Sequence, residues 1–248
     1  MTLLAARAKA ALERVADTFC LQLAEVANSG RCEAKEAATL LYMANTCLLS
    51  LNNPTSGSPG TLSDHLYQRG LQSDATQESI EELAATTTSV LLRQLAPLSG
   101  DLLSTINDSS LPNTVNTQYG IARLMDYLRA NIIELCVLIY SAGETPTRQL
   151  LGEAIRALLS VLAERYPGQS IEVRVPPYSA VQVGAFGDGP THRRGTPPNV
   201  VETDAKTFLA LATGLDDWDR VFSSGRLSVS GAHADETERM LPIYQVRP

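Results

Sequence analysis

The sequence predicts an α+β protein: an all-α four-helix bundle with an extra helix over residues 1–168, then a small α+β domain over residues 169–248. Three observations carry that expectation. The chain has 248 residues, more than the roughly 100–200 residues usual for one domain. Its apolar residues keep helical spacing up to Pro167-Gly168 and alternate like a strand beyond it. Of the 29 Gly and Pro residues, 15 fall in the last 81 positions, about twice the earlier density, so long helices give way to short strands and turns.

The elements follow in order. Leu12, Val15, Phe19, Leu23 and Val26 form one apolar stripe, and the segment from Cys32 to Leu51 is apolar almost all round, as a central bundle helix would be. A third helix is expected after Asp74, with Gln77 three residues on in a capping-box arrangement, running to Pro97. The fourth carries Ile121, Leu124, Leu128, Ile132, Leu135 and Ile139; the fifth opens at Thr145-Pro146, buries Leu150, Leu151, Ile155, Leu158, Leu159 and Leu162, and stops at Tyr166-Pro167-Gly168. Four of these five segments are long, which is the content of a four-helix bundle plus one helix. The segments 52–73 and 107–116, rich in Ser, Asn, Gly and Pro, are expected to be loops.

Past Gly168, Ile171, Val173 and Val175 alternate with Glu172 and Arg174, and Val181 and Val183 flank Gln182 after the break at Pro176-Pro177. Gly184, Gly187, Gly189 and Pro190 spell a turn, and residues 193–203 return as extended pieces around Pro197-Pro198. Asp204 should cap a short helix closed by Gly214, Asp216 a second one with Trp218, Val221 and Phe222, closed by Gly225. Leu227 and Val229 form a last strand, which gives helices on one face of an antiparallel or mixed sheet.

Composition narrows the function. A hydrophobic content of 44% excludes a disordered chain. A net charge of -7 without a basic run argues against nucleic acid and against an anionic membrane surface as partners. No apolar stretch reaches the ~20 residues of a membrane span, and the N-terminus alternates apolar residues with Arg7, Lys9 and Glu13 in place of a signal peptide. Cys20, Cys32, Cys47 and Cys136 form no CxxC pair and read as small buried hydrophobes, which points to the cytosol. There is no GxSxG elbow, HExxH, Walker A or EF-hand loop, and Gly184–Gly189 lacks the order of a dinucleotide fingerprint. No catalytic residue, metal ligand or cofactor site is assigned. Asp216, Asp217 and Asp219 read as first-turn helix carboxylates, and Asn107–Ser109 as a glycosylation pattern without meaning in the cytosol. The best polar group is His192, Arg193 and Arg194, where the two Arg suit a carboxylate or phosphate head group.

The stretches Phe208–Gly214, Trp218–Gly225 and Arg226–Gly231 resemble the sterol carrier protein type 2 module, and Val173–Gln182 with Arg194–Asp204 resemble an actinobacterial branch of sterol carrier family proteins. The likeness spans about residues 170–244. It implies an apolar tunnel between sheet and helices, lined or closed by Phe208, Leu211, Trp218 and Phe222, for a lipid, sterol-like or acyl ligand. The helical part, through Arg123–Leu135, is similar to the bundle of the mycothiol-dependent maleylpyruvate isomerase and DinB group. In that group a divalent metal is held by a His on the second helix and by a Glu and a His four residues apart on a later one. The corresponding positions here are Glu134 and Leu138, and Cys32–Leu51 contains no His, so the resemblance does not carry a metal site over; Glu134 is expected as a solvated or ion-paired residue. The function expected is therefore binding or carriage of an apolar or amphipathic small molecule, with the bundle as the surface for a second copy or another protein. The alternative is an isomerase or transferase of the mycothiol-dependent type with a degenerate metal site.

Overall fold

The computed structural model describes residues 3–107, 111–186 and 198–246. By compactness the chain divides into two units between Leu150 and Leu151. The first contains α1 (Leu3–Asn28), α2 (Ala34–Leu51), α3 (Leu62–Leu71), α4 (Ser73–Ala84), α5 (Thr88–Asn107), the hairpin β1 (Thr114–Thr117) and β2 (Gly120–Arg123), and α6 (Leu124–Ser141). α7 (Arg148–Arg165) starts in the first unit and runs into the second. There it is followed by β3 (Ile171–Val175), β4 (Ser179–Val183), β5 (Asn199–Thr203), α8 (Ala205–Thr213), α9 (Trp218–Ser223), β6 (Leu227–Ser230) and a 3-10 helix over Ala234–Met240. The fold class is α+β, with a helical N-terminal region followed by a small mixed-sheet domain.

In the first unit α1, α2, α5 and α6 make the four-helix bundle: α1 packs on α5 and α6, and α2 on α5 and α4. Phe19, Leu23, Leu40, Leu95, Leu102 and Leu128 are fully buried between them. The expected helix from Asp74 to Pro97 is two helices. Residues 85–87 interrupt it at Thr86 and Thr87, because β-branched hydroxyl residues lose rotamer freedom in a helix and compete for its backbone hydrogen bonds. Pro97 lies inside α5 rather than ending it; Pro97 and Arg93 are both exposed, so the carbonyl left without its N–H faces solvent. The fourth helix begins at Leu124, and Ile121 stands on β2, 38% exposed. The fifth is capped by Thr147, whose hydroxyl accepts from Leu150 N–H at 3.4 Å, two residues after the expected Thr145.

The expected loop 52–73 contains α3. Thr61 and Asp64 cap it reciprocally, Asp64 N–H donating to Thr61 Oγ1 at 3.2 Å and Thr61 N–H to Asp64 Oδ2 at 2.9 Å. Within the expected loop 107–116, residues 111–116 lead into a two-residue hairpin closed by Gly120 at φ +105°.

The second unit holds a four-stranded sheet in the order β4-β3-β5-β6, with β3 parallel to β5 and the other pairs antiparallel. The Pro176-Pro177 break is the turn between β3 and β4. Gly168 is required where the chain leaves α7, since a Cβ there would meet Gly184 Cα at 2.3 Å. A Cβ on Gly152 would meet the Tyr178 ring at 2.9 Å, so α7 packs closely over the β3–β4 turn. Asp204 caps α8 as expected, accepting from Lys206 and Thr207 N–H at 2.9 and 3.1 Å, and Gly214 ends it at φ +75°. The last carbonyls of α8 are satisfied by the C-terminal segment: Ile243 and Tyr244 N–H donate to Ala212 O and Val246 N–H to Thr213 O. The cap of α9 is Asp217, not Asp216; Asp216 instead takes Arg226 at 2.9 Å and Arg220 at 3.3 Å.

Candidate functional site

The residues expected to line an apolar site lie on α8 and α9. Their depth differs. Phe208 and Leu211 are buried at 2% and 3% exposure. Trp218 is half-buried, and Phe222, one turn on, is 52% exposed. α8 is buried along nearly its whole length, whereas α9 buries only Val221, with Trp218 half-buried and Phe222 exposed. Beside α9 the charges are paired at the surface: Arg220 with Asp216 and Asp217, and Arg226 with Asp216. The Asp216 carboxyl is held below the usual range because hydrogen bonds from Arg226 and the Asp217 N–H outweigh the opposing effect of burial. Arg193 and Arg194, with His192, lie outside the described residues.

Residues 147–243 match the family model described as bacterial SCP ortholog. The SCP-like region so defined takes in α7, the sheet, α8 and α9. No curated protein matches the chain. Two solved structures of the mycothiol-dependent maleylpyruvate isomerase, one of them a mutant, align with it at 14% identity and a TM-score of 0.48, covering 93% of this chain and 96% of theirs.

In the first unit, His65 is not in a loop but on α3, 5% exposed. Glu134, half-buried on α6, is ion-paired with Arg69 at 2.8 Å. This does not fit a metal centre: the carboxylate already faces a guanidinium, Leu138 offers no donor, and among the described residues no group of three His, Cys, Asp or Glu is placed to hold an ion. His65 donates nothing to such a site either, because its Nε2 accepts from Arg69 Nε at 3.1 Å; burial and the Arg69 charge lower its pKa to about 3. Sequence reasoning missed Arg69, Asn131, Tyr119 and Tyr127; the available signal was the Thr61/Asp64 capping box followed by Leu62, His65, Leu66 and Arg69 at helical spacing.

A cleft of about 620 Å3, also missed, opens where α1 and α6 end, lined among others by Glu25, Glu33, Glu36, Glu144, Cys32 and Leu138. None of the four predicted apolar residues lines it. Burial and the nearby Glu36 push the Cys32 thiol up, and its proton points to Val26 O at 3.3 Å, so the cleft presents a thiol and not a thiolate nucleophile. Burial likewise raises the thiols of Cys20, Cys47 and Cys136. Among the described residues no helix is long and apolar enough to cross a membrane.

Proposed function

We propose that the SCP-like region binds or carries an apolar or amphipathic small molecule, of the lipid, sterol-like or acyl class, in the cytosol. The observation that carries this reading is the match of residues 147–243 to the bacterial SCP ortholog family. The arrangement of α8 and α9 supports it: Phe208 and Leu211 supply a buried floor, and Trp218 and Phe222 supply an aromatic edge open to a ligand. At roughly 25 cal/mol per Å2 of apolar surface, covering a few hundred Å2 gives useful affinity with no catalytic group. Arg193 and Arg194 are the proposed partners of an anionic head group, Arg being suited to bidentate contact.

Trp218 is the only tryptophan of the chain, so its emission reports on this place alone. Titration with a fatty acyl-CoA, a sterol-like ligand and a polyprenyl ligand is expected to give a saturable shift with at least one, and mass spectrometry of the purified protein a co-purified lipid. A flat emission with all three, together with a lipid-free protein, would overturn the reading.

A further inference from the structure

Two helices of the first unit present polar faces to one another at a depth where Leu is the ordinary choice. On α3, Leu62, His65, Leu66 and Arg69 recur at helical spacing and all four are buried. On α6, Tyr127, Asn131 and Glu134 share the facing stripe. Arg69, 2% exposed, uses each of its three guanidine nitrogens on a different partner: Nε donates to His65 Nε2 at 3.1 Å, Nη2 to Asn131 Oδ1, and Nη1 to Glu134 at 2.8 Å. Its Cζ lies over the rings of Tyr119 and Tyr127, 4.7 and 5.4 Å from the centroids. The same two rings meet His65 edge-on at 5.8 Å.

Carboxylate, amide oxygen, imidazole nitrogen and two π faces are the groups a guanidinium can use, and they converge on one point. Leu at position 69 would have docked α3 without taking a charge out of water, a desolvation that is expensive unless the pairing is complete. Asn131 turns its oxygen to the cation, and its own buried Nδ2 is left without an acceptor, since a guanidinium only donates. The amide is thus oriented for the cation and against its own satisfaction.

We propose that Tyr119, Tyr127, Asn131, Glu134 and His65 form a guanidinium-binding site that Arg69 fills as an intramolecular ligand, and that this guanidinium, not a metal ion, is the cation serving Glu134. Arg69 is then a positioning residue: it fixes α3 to α6 and the hairpin.

The test uses the full chain with Arg69→Ala and methylguanidinium chloride at millimolar, non-denaturing concentration. The expected result is a lowered Tm that methylguanidinium raises saturably, with no such rise in the wild-type chain and none in the variant with equimolar sodium chloride or zinc chloride. Arg69→Lys should stay destabilised, because an ammonium cannot fork to three partners. Equal shifts in both proteins, no shift in the variant, or recovery by zinc would overturn the proposal. Where Arg69→Ala does not fold, nitrogen-15 NMR of the wild-type chain decides. One arginine Nε–H, displaced by the two tyrosine rings and slow to exchange, is expected, and its return to ordinary exchange in Glu134→Gln. Side-chain N–H groups that all exchange as in free arginine would overturn it.

Discussion

α3 and α8 are both short and are held by opposite means, α3 along one buried face and α8 along nearly its whole length. α8 buries Ala205 and every residue from Thr207 to Thr213; its capping aspartate and closing glycine stand at its two ends. α3 is held through a charge, with the Arg69 guanidinium enclosed by two helices and a hairpin turn. An apolar interface is set by volume, and shape-conserving swaps cost less than about 1.5 kcal/mol. A polar cage is set by direction, so a swap that keeps charge but changes geometry fails. The position of α3 is therefore set by the direction of its bonds, and that of α8 by the volume it fills.

The largest effects test this contrast directly. Phe208→Ala should destabilise the second unit by about 3–5 kcal/mol through the cavity it leaves, and Arg69→Ala the first by a similar amount through the guanidinium that Glu134 and Asn131 lose. The conservative changes should then separate: Leu211→Met within about 1.5 kcal/mol, Arg69→Lys most of the loss of Arg69→Ala. Denaturant unfolding of the four variants measures this. A mild Arg69→Lys would show that the cage recognises charge alone.

The two means of burial also differ in how far the sequence reveals them. α8 is legible because its information is local: Asp204, Phe208, Leu209, Leu211 and Gly214 spell cap, apolar face and stop within eleven residues. The strand alternation of Ile171, Val173 and Val175 is local in the same way. α3 is not, because His65 and Arg69 mark its inner face as polar, and the amide that Arg69 meets is 62 positions away. The Asn-, Ser- and Gly-rich lead from residue 52 hid the capping box that opens it. Pro97 misled for the reverse reason, since a proline on an exposed helical face does little harm to its surroundings. Phe208, Leu211, Trp218 and Phe222 were legible as apolar positions of two short helices; their gradation from buried Phe208 to exposed Phe222 depends on tertiary packing that periodicity does not encode.

Acid sharpens the comparison. The folded chain keeps His65 neutral down to about pH 3, against 6.5 for a free imidazole, while the unfolded chain takes up the proton below 6.5. The stability held above pH 6.5 is therefore lost progressively as pH falls from 6.5 toward 3, at up to about 1.4 kcal/mol per pH unit. Arg69 and the rings of Tyr119 and Tyr127 face this imidazole, and His65→Gln retains an acceptor for Arg69 Nε. The difference in Tm between wild type and His65→Gln should shift against the wild type on acidification. Parallel curves would mean that the imidazole is wetter than its 5% exposure implies.

A smaller effect is expected at the α8 cap. Asp204 accepts two backbone N–H bonds and the Thr207 hydroxyl at 2.6 Å, and Asp204→Ala should lower stability by about 1 kcal/mol. Asp204→Asn should recover most of it, since an amide oxygen caps nearly as well.

The smallest effect on stability carries the sharpest functional contrast. Phe222 and Leu49 are exposed apolar residues of the two units, 52% and 69% accessible. Replacing either by Ser should change stability by less than about 0.5 kcal/mol, because little packing is lost. Ligand binding should separate them. If α9 is the edge of the binding surface, a ligand covers about half of the exposed Phe222 ring, and losing that contact weakens Kd roughly tenfold, about 1.4 kcal/mol. Leu49 lies on α2 and should leave Kd unchanged. Trp218 emission reads both variants in one assay, provided it responds to ligand in the wild-type chain. Equal affinities for wild type, Phe222→Ser and Leu49→Ser would move the binding surface away from α9, and loss of binding in Leu49→Ser alone would move it to the bundle.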